Sequence, residues 1–289
     1  MRVPQRAHNL LSFDIEGFIE SSLESMRVPG RYISAELEAC EIEGNTAKIL
    51  EVLADSNQKA TFFILGRIAR DQSALVRRIS EAGHEIGCHS YYHRRLYHLS
   101  FAEVQAAVQD GKKRLEDVCG RQVYGFRAPD FSIVKSNLWV LDVLLDAGYR
   151  YDSSIVPTSL HDVYGICDFA LEPVRLPNGL VEVPLSAIRI WSWRLPFGGG
   201  GYLRLYPLVL TRAFFWWANR QGLPGVVYVH PAEIGGVVPA ISEIGWLRRF
   251  RTHTGVTTAR EKLRSLLRRL PFTRIIDYLV EREMVSVRL

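Results

Sequence analysis

Short apolar runs alternate with segments of helical periodicity along most of this chain. Runs of strand length occur at residues 8–14, 60–65, 83–88, 124–127, 181–185 and 226–230. Apolar residues at helical spacing occur at residues 45–53, 72–83, 100–118 and 138–147. Parallel strands need a crossover connection, which is usually a helix. The alternation therefore predicts an α/β fold built on a parallel sheet or barrel.

The composition is that of a globular protein. Of the 289 residues, 47% are hydrophobic and 23% are charged, values that exclude a disordered, collagenous or coiled-coil chain. No internal repeat or low-complexity linker divides the sequence, and the glycine run at 198–201 is short. We therefore expect a single domain over residues 1–289.

The net charge of +5 comes from the C-terminal end of the chain. Residues 246–289 hold eleven Lys and Arg and four Asp and Glu, which leaves 25 basic and 27 acidic residues elsewhere. The pattern indicates a slightly acidic body with a basic C-terminal extension at about 246–289, and it disfavours nucleic-acid binding. A weak contact between this extension and a membrane surface stays open, as does an oligomer.

The start of the chain and the cysteines favour a cytoplasmic location. The basic residues 1–8 lead into a short apolar run, whereas a secretory leader needs about 7–15 apolar residues. The longest apolar stretches fall short of the ~18 residues of a membrane span. The four cysteines form no CxxC pair, so we expect them to be reduced. A position at the periphery of the inner membrane remains an alternative within this prediction.

Two carboxylates end the first strand. Asp14 and Glu16 are two residues apart, so an extended chain points both side chains to the same face. Two acids on one face can divide the work of catalysis, one binding a cation and the other accepting a proton. The alternative is a turn with solvated acids.

Two histidines follow the strand at 83–88. His89 and His93 are four residues apart, a spacing that places them on one face of a helix and lets them bind one metal ion. An upstream carboxylate would complete a set of three protein ligands and leave a position for water. That is the pattern of catalytic rather than structural zinc.

Two further polar groups follow later strands. Arg127 carries a permanent charge that could hold a catalytic carboxylate in its ionised form, and Pro129 shapes the turn after it. His230 follows the strand at 226–229 and could protonate a leaving group, because histidine titrates near neutral pH. Taken singly, each is as well explained by a surface or core role.

In this order the motifs resemble the polysaccharide deacetylase family, which shares the NodB homology domain. The matching stretches are Ser12-Phe-Asp14-Ile-Glu16, His89-Ser-Tyr-Tyr-His93, Arg127-Ala-Pro129 and Val229-His230. The resemblance spans nearly the whole chain. It implies a distorted (β/α)7 barrel and a metal-dependent hydrolase that removes N-acetyl groups from amino sugars.

The resemblance also implies a role for each residue. A divalent metal, most plausibly Zn²⁺, is expected on Glu16, His89 and His93, with Asp14 as an alternative acidic ligand. Asp14 is the expected base, Arg127 orients it, and His230 is the expected acid. The backbone N–H of Asp130 is expected to bind the oxyanion, and Asp152 to tune His230 or shape the pocket. Pro129 is expected to contact substrate.

A narrower resemblance is to the branch found in exopolysaccharide loci associated with exosortases. It rests on residues 149–154, 181–184, 199–205 and 257–273, and it implies a bacterial polysaccharide, or its precursor, as substrate. We expect Tyr202 and Arg204 to reach that substrate. For the aromatic residues of 191–217 as a whole, a cover over the barrel or an interface is favoured over a glycan-binding wall.

Two other functions compete with this prediction. A metal-dependent amidohydrolase or deacylase acting on a small molecule or a sugar nucleotide would need a closed pocket rather than an open groove. A non-catalytic glycan-binding relative would need no metal, and the full set of site residues argues against it. The expected partner is therefore an N-acetylated glycan.

Overall fold

The computed structural model describes residues 9–25, 32, 34–159, 165–191, 193–236 and 245–287. The basic start of the chain, including the first residue of the predicted strand at 8–14, lies outside these ranges. Among the described residues, no helix combines the length and the apolarity needed to cross a membrane. The four cysteines are all unpaired.

The core of the fold is one curled, mostly parallel sheet. Its strand order is β10-β1-β2-β3-β4-β5-β7-β6, with β11 also paired to β1, and β6 is antiparallel to β7. The strands are β1 (Asn9–Ile15), β2 (Thr61–Ile64), β3 (Glu85–Cys88), β4 (Gly125–Phe126), β5 (Tyr151–Asp152), β6 (Val174–Arg175), β7 (Val181–Glu182), β10 (Val226–Val229) and β11 (Phe272–Thr273). A separate antiparallel hairpin consists of β8 (Ala187–Ile190) and β9 (Trp193–Pro196).

Helices connect the strands and continue into the C-terminal region. They are α1 (Phe18–Ser25), α2 (Ala35–Asp55), α3 (Gly66–Asp71), α4 (Ser73–Glu81), α5 (Phe101–Cys119), α6 (Val140–Asp146), α7 (Gly200–Leu205), α8 (Leu208–Arg220), α9 (Pro231–Gly235), α10 (Trp246–His253), α11 (Val256–Leu267) and α12 (Ile275–Glu281). The predicted α/β alternation is confirmed. The helix expected at 45–53 is the second half of a much longer one, α2.

Side chains of β1 alternate between the two faces of the sheet. Leu11, Phe13 and Ile15 belong to the larger apolar cluster together with residues of the surrounding helices. Leu10 belongs to the second cluster, which includes Tyr151. By the period of two, Ser12 and Asp14 share the face of Leu10. This inner face carries polar groups toward the carboxyl end of the strand, where the site lies.

The C-terminal extension is built into the fold. β11 pairs with β1, and the backbone N–H groups of Ile275 and Ile276, at the start of α12, donate to Thr61 and Glu85 at 2.9 and 3.1 Å. In α11, Arg260 and Arg264 form ion pairs with Glu51 and Asp55 of α2 at 2.6 and 3.0 Å. Part of the basic charge of the extension is therefore used to bind the acidic body.

Candidate active site

A cavity of about 160 Å³ lies at the carboxyl ends of the central strands. Its lining comes from β1, β10 and the segments that follow β1, β3 and β4, as expected where several parallel strands end together. The residues that line it are Asp14, Glu16, His89, His93, Ala128, Asp130, Phe131, Tyr228 and His230.

Glu16, His89 and His93 form a compact buried cluster inside this cavity. Oε2 of Glu16 lies 3.2 Å from Nε2 of His89 and 2.9 Å from Nε2 of His93. One donor atom from each residue falls within 4.8 Å of the others. The three side chains thus present their donor atoms to one common point.

The two histidines meet through a turn, and the prediction that they share a helical face is wrong. Residues 89–93 are non-helical, and Ser90 has a φ of 69°. The carbonyl of Ser90 accepts from the backbone N–H of Gly66 at 2.9 Å, which anchors the turn to the start of α3. Nδ1 of His89 lies 2.8 Å from the carbonyl oxygen of Arg127, so a proton on Nδ1 leaves Nε2 free to act as a ligand.

Asp14 and Glu16 have different partners. Nη1 of Arg127 donates to Oδ1 of Asp14 at 2.8 Å and to the hydroxyl of Ser12 at 2.8 Å. Arg127 is fully buried, and its guanidinium stacks 4.2 Å from the ring of Phe63. Its other nitrogens donate to the backbone carbonyl and hydroxyl of Ser153. Asp14 is therefore held beside a rigid positive charge, whereas Glu16 faces the histidines.

His230 lies against the same cluster. Its Nε2 is 3.5 Å from Oε1 of Glu16. On the other side of the ring, Nδ1 faces the carboxylate of Glu233, which was not predicted from the sequence. Oε2 of Glu233 lies 3.1 Å from both the backbone nitrogen and Nδ1 of His230. The sequence does contain a signal for this contact. Glu233 stands three residues after His230 at the start of α9, a spacing typical of a helix cap.

Arg204 contacts Glu233 and is not among the cavity-lining residues described above. Its Nε donates to Oε1 of Glu233 at 2.9 Å, and its Nη1 donates to the carbonyls of Thr252 and Thr254. The expectation that Arg204 reaches substrate is therefore not met: the arginine is buried behind the carboxylate. A Cβ on Gly200 would overlap the Glu233 carboxylate, which explains a glycine at this position.

Of the two roles expected for Asp152, tuning His230 or shaping the pocket, its contacts favour the second. Its carboxylate accepts from the hydroxyl of Ser154 at 2.7 Å, and that hydroxyl accepts from the backbone N–H of Ala128 at 2.8 Å. Burial raises the pKa of Glu182, and the neighbouring Asp152 raises it further. Burial and the neighbouring carboxylate thus favour the protonated form of Glu182. The pair supports the loop that carries Ala128, below the cavity.

The loop after β4 places Asp130 at the cavity in a left-handed conformation. Asp130 has φ 50° and ψ 26°, and its carboxylate accepts from Nε of Arg95 at 2.7 Å. Pro129 is buried under this turn, while its neighbours line the cavity. Tyr202 stacks on Tyr206 with 5.6 Å between ring centroids, outside the lining described above.

The electrostatics of the cluster suit a bound cation. Burial opposes the ionised form of Glu16, but His93 and His230 hold the pKa of its carboxyl well below its usual range. Burial likewise opposes protonation of His93, yet the charge of Glu16 raises its pKa to about 9. A carboxylate that attracts protons onto its histidine neighbours will equally favour a divalent ion between them. One oxygen and two imidazole nitrogens are donors that suit zinc.

Two family models together account for most of the chain. Residues 28–151 match the polysaccharide deacetylase model, and residues 153–280 match a model described as a domain of unknown function, DUF3473. The boundary falls inside the continuous sheet, at β5. The first model includes His89, His93 and Arg127, and the second includes Arg204, His230 and Glu233.

Several curated relatives are named as deacetylases of chitooligosaccharides or of peptidoglycan. A chitooligosaccharide deacetylase of Azorhizobium caulinodans is 36% identical over 85 residues, which are 29% of this chain and 40% of the relative. A peptidoglycan-N-acetylmuramic acid deacetylase of Bacillus subtilis is 33% identical over 79 residues, 27% of this chain and 30% of the relative. These matches span less than half of each relative.

The solved structures show the same fold over the full length of the chain. A crystal structure from Mycobacterium smegmatis assigned to the polysaccharide deacetylases has a TM-score of 0.67 at 20% identity, covering 100% of this chain and 95% of the other. An allantoinase structure has a TM-score of 0.63 at 14% identity, covering 99% and 94%. The predicted fold class, a deacetylase-type α/β barrel, is confirmed.

Proposed function

We propose that this chain, whose residues 28–151 match the polysaccharide deacetylase model, removes N-acetyl groups from amino sugars of a bacterial polysaccharide or its precursor. The observation that carries the proposal is the convergence of Glu16, His89 and His93 in the same cavity as Asp14 and His230. The deacetylases found among the relatives support the substrate class.

The proposal assigns the metal to Glu16, His89 and His93. A divalent ion held there, with zinc the best match to the donors, would polarise the acetamide carbonyl and acidify a water molecule. Glu16 is preferred to Asp14 as the acidic ligand, because Oε2 of Glu16 faces both histidines whereas Oδ1 of Asp14 accepts from Arg127 at 2.8 Å.

Asp14 acts as the base in this proposal. Its carboxylate lines the cavity beside Glu16, and Arg127 orients it through a bond of 2.8 Å. It takes one proton from the attacking water while the oxygen of that water bonds to the acetyl carbon. The N–H of Asp130 is the proposed hydrogen-bond donor to the oxygen that becomes negative, because the left-handed turn brings this residue to the cavity wall.

His230 completes the reaction as the acid. It lies at the cavity with Nε2 directed toward Glu16 and Nδ1 held by Glu233. Burial alone would lower its pKa, but Glu16 and Glu233 raise the pKa of this imidazole to about 10, which favours the protonated form that an acid requires. It gives its proton to the amide nitrogen as the C–N bond breaks, and the products are acetate and a free amine.

A second candidate follows from the size of the cavity. A volume of about 160 Å³ is enough for an acetamido group, and an allantoinase has the same fold. An amide hydrolase acting on a small molecule or a sugar nucleotide would use the same residues.

One experiment separates these functions. The metal content of the purified chain is measured, together with acetate release from N-acetylated oligosaccharides, sugar nucleotides and non-sugar amides. We expect about one zinc per chain and acetate release from the oligosaccharides. His89→Ala should abolish both, whereas His98→Ala, a change at an exposed histidine in the same segment, should abolish neither. Release only from non-sugar amides would contradict the glycan proposal, and retained metal in His89→Ala would contradict the ligand assignment.

A further inference from the structure

Helix α8 is apolar on both of its sides. Thr211, Phe214, Phe215 and Ala218 face the protein, at the spacing of a buried helical stripe. Val209, Trp216 and Trp217 lie on the outer side, with exposed fractions of 76%, 61% and 46%. Two adjacent exposed tryptophans on one helix form an apolar surface of the kind that marks an interaction site.

The sequence around α8 is basic, although Arg204 within it is buried against Glu233. Residues 183–232 contain five arginines and no aspartate or glutamate. Arg220, in the last turn of α8, is exposed and lies 4.9 Å from the ring of Trp216. Exposed indole rings next to guanidinium groups, without intervening acids, are the composition of surfaces that bind the headgroup region of a bilayer.

Two nearby segments of sequence repeat this composition. The β8–β9 hairpin exposes Trp191 and Trp193 next to Arg194, and α10 exposes Trp246 and Phe250 one helical turn apart. Residues 246–260 contain four arginines and no acid. Other aromatic residues of 191–217 are buried instead of exposed. Phe197 and Phe215, for example, pack edge to face with 5.2 Å between their ring centroids. The exposed tryptophans are therefore not part of the cover over the barrel.

We propose that the outer face of α8 docks this protein on an anionic phospholipid surface. Tryptophan side chains settle at the level of the headgroups, and arginines near an anionic membrane each add to the attraction. A second copy of the chain is a poorer occupant. A twofold contact through this face would bring like charges together with no acid in residues 183–232 to offset them.

This assignment differs from a contact made by the basic C-terminal extension. Arg260 and Arg264 of that extension already form ion pairs with Glu51 and Asp55. Arg274 likewise pairs with Asp277 at 2.5 Å. The assignment to α8 rests on the exposed Trp216 and Trp217 beside Arg220, and it is independent of whether the catalytic site is active.

Vesicle binding by the full chain tests the proposal. We expect co-sedimentation with vesicles of phosphatidylcholine and phosphatidylglycerol, weaker binding in high salt, and little binding to phosphatidylcholine alone. The double variant Trp216→Ser with Trp217→Ser should bind at least about tenfold more weakly, and Arg220→Glu about fivefold more weakly. Leu37→Ser, at an exposed leucine on α2, is the matched control and should bind as the parent does.

Three results would overturn the proposal. One is equal binding by the tryptophan double variant and the parent, with circular dichroism showing both to be folded. Another is an absence of any difference between anionic and neutral vesicles. The third is a concentration-dependent dimer that the tryptophan double variant abolishes, because it would assign the face to a second copy. Arg220→Glu keeps the test valid should the double variant fail to fold, since it changes one exposed side chain.

Discussion

Glu233 holds both the backbone and the ring of His230, with its Oε2 3.1 Å from the backbone nitrogen and 3.1 Å from Nδ1. Arg204 binds the other carboxylate oxygen from behind at 2.9 Å. Burial opposes ionisation of Glu233, but His230 and Arg204 lower the pKa of its carboxyl to about 2. A permanently charged acid thus orients the imidazole toward the cavity.

Glu233→Gln should reduce kcat by about 10–100-fold, because the amide keeps an oxygen acceptor for His230 but removes the negative charge that favours the imidazolium. His230→Ala should cost more, about 10²–10⁴-fold. The measurement is steady-state acetate release, with metal content as a second readout that should stay unchanged. Glu261→Gln, at an exposed glutamate, is the control. An unchanged kcat in Glu233→Gln would show that this carboxylate has no part in orienting His230.

Gly200→Ala should displace Glu233, because the added Cβ would overlap its carboxylate. Gly201→Ala is a matched control in the next position of α7, since the nearest atom to its Cβ would be a guanidinium nitrogen 3.9 Å away. We expect Gly200→Ala to lose at least tenfold in kcat and Gly201→Ala to keep full activity with slightly higher stability, by up to about 1 kcal/mol. Urea unfolding and acetate release measure the two effects. Equal behaviour of the two variants would contradict the predicted overlap.

Arg127→Met should destabilise the fold by about 3–5 kcal/mol, because it leaves the buried carboxylate of Asp14 without its charged partner. Adding Asp14→Asn removes the unpaired charge, so the double variant should lose less stability than the sum of the two single variants. The measurement is a double-mutant cycle by urea unfolding. Additive losses would show that the two side chains do not interact in the folded protein.

A further titratable group lies at the opposite end of the strands. Glu85, the first residue of β3, is buried and accepts hydrogen bonds from Thr61, Tyr151 and the backbone N–H of Ile276 at 2.5, 2.7 and 3.1 Å. Burial raises the pKa of Glu85 to about 7, although the hydrogen bonds from these three donors lower that pKa. It connects β2, β3, β5 and α12 below the site.

The contribution of Glu85 to stability should therefore fall as pH rises from about 4.5 to about 7. Over this range the folded state keeps the Glu85 proton that the unfolded state has lost, so the contribution is complete below the unfolded pKa and is lost as pH passes the folded pKa. Glu85→Gln cannot ionise and should flatten the slope of unfolding free energy against pH by up to about 3 kcal/mol across this range. The measurement is urea unfolding at several pH values. A slope identical to that of the parent would contradict the raised pKa.

Residues of the site could be predicted from the sequence where the pattern that identifies them spans only a few neighbouring residues. Asp14 and Glu16 lie two apart on a strand, and His89 and Arg127 follow strands whose ends meet. The prediction that His89 and His93 share one face of a helix was wrong, because a spacing of four residues fits a helix and a turn equally well. Only the left-handed Ser90 and its bond to Gly66 distinguish the two.

The partners of His230 show where prediction from the sequence ends. The family resemblance offered Asp152 as a residue that tunes His230 or shapes the pocket, and in the structure it binds Ser154 next to Glu182. Glu233 takes that place, and Arg204 supports it rather than reaching substrate. Arg204 and Glu233 are 29 residues apart in the sequence. Their contact depends on how α7 packs on α9, which no local sequence pattern predicts.

The sequence by itself determined the α/β class, the family resemblance and the identity of the polar residues at the strand ends, because hydrophobic period and motif spacing are local properties. The tertiary structure decided which polar side chains share a proton, an ion pair or a cavity. It also decided that the basic extension binds the body through Arg260 and Arg264, while the tryptophans of α8 stay exposed. Burial and charge pairing are properties of the packed chain, and they exist only when distant segments meet.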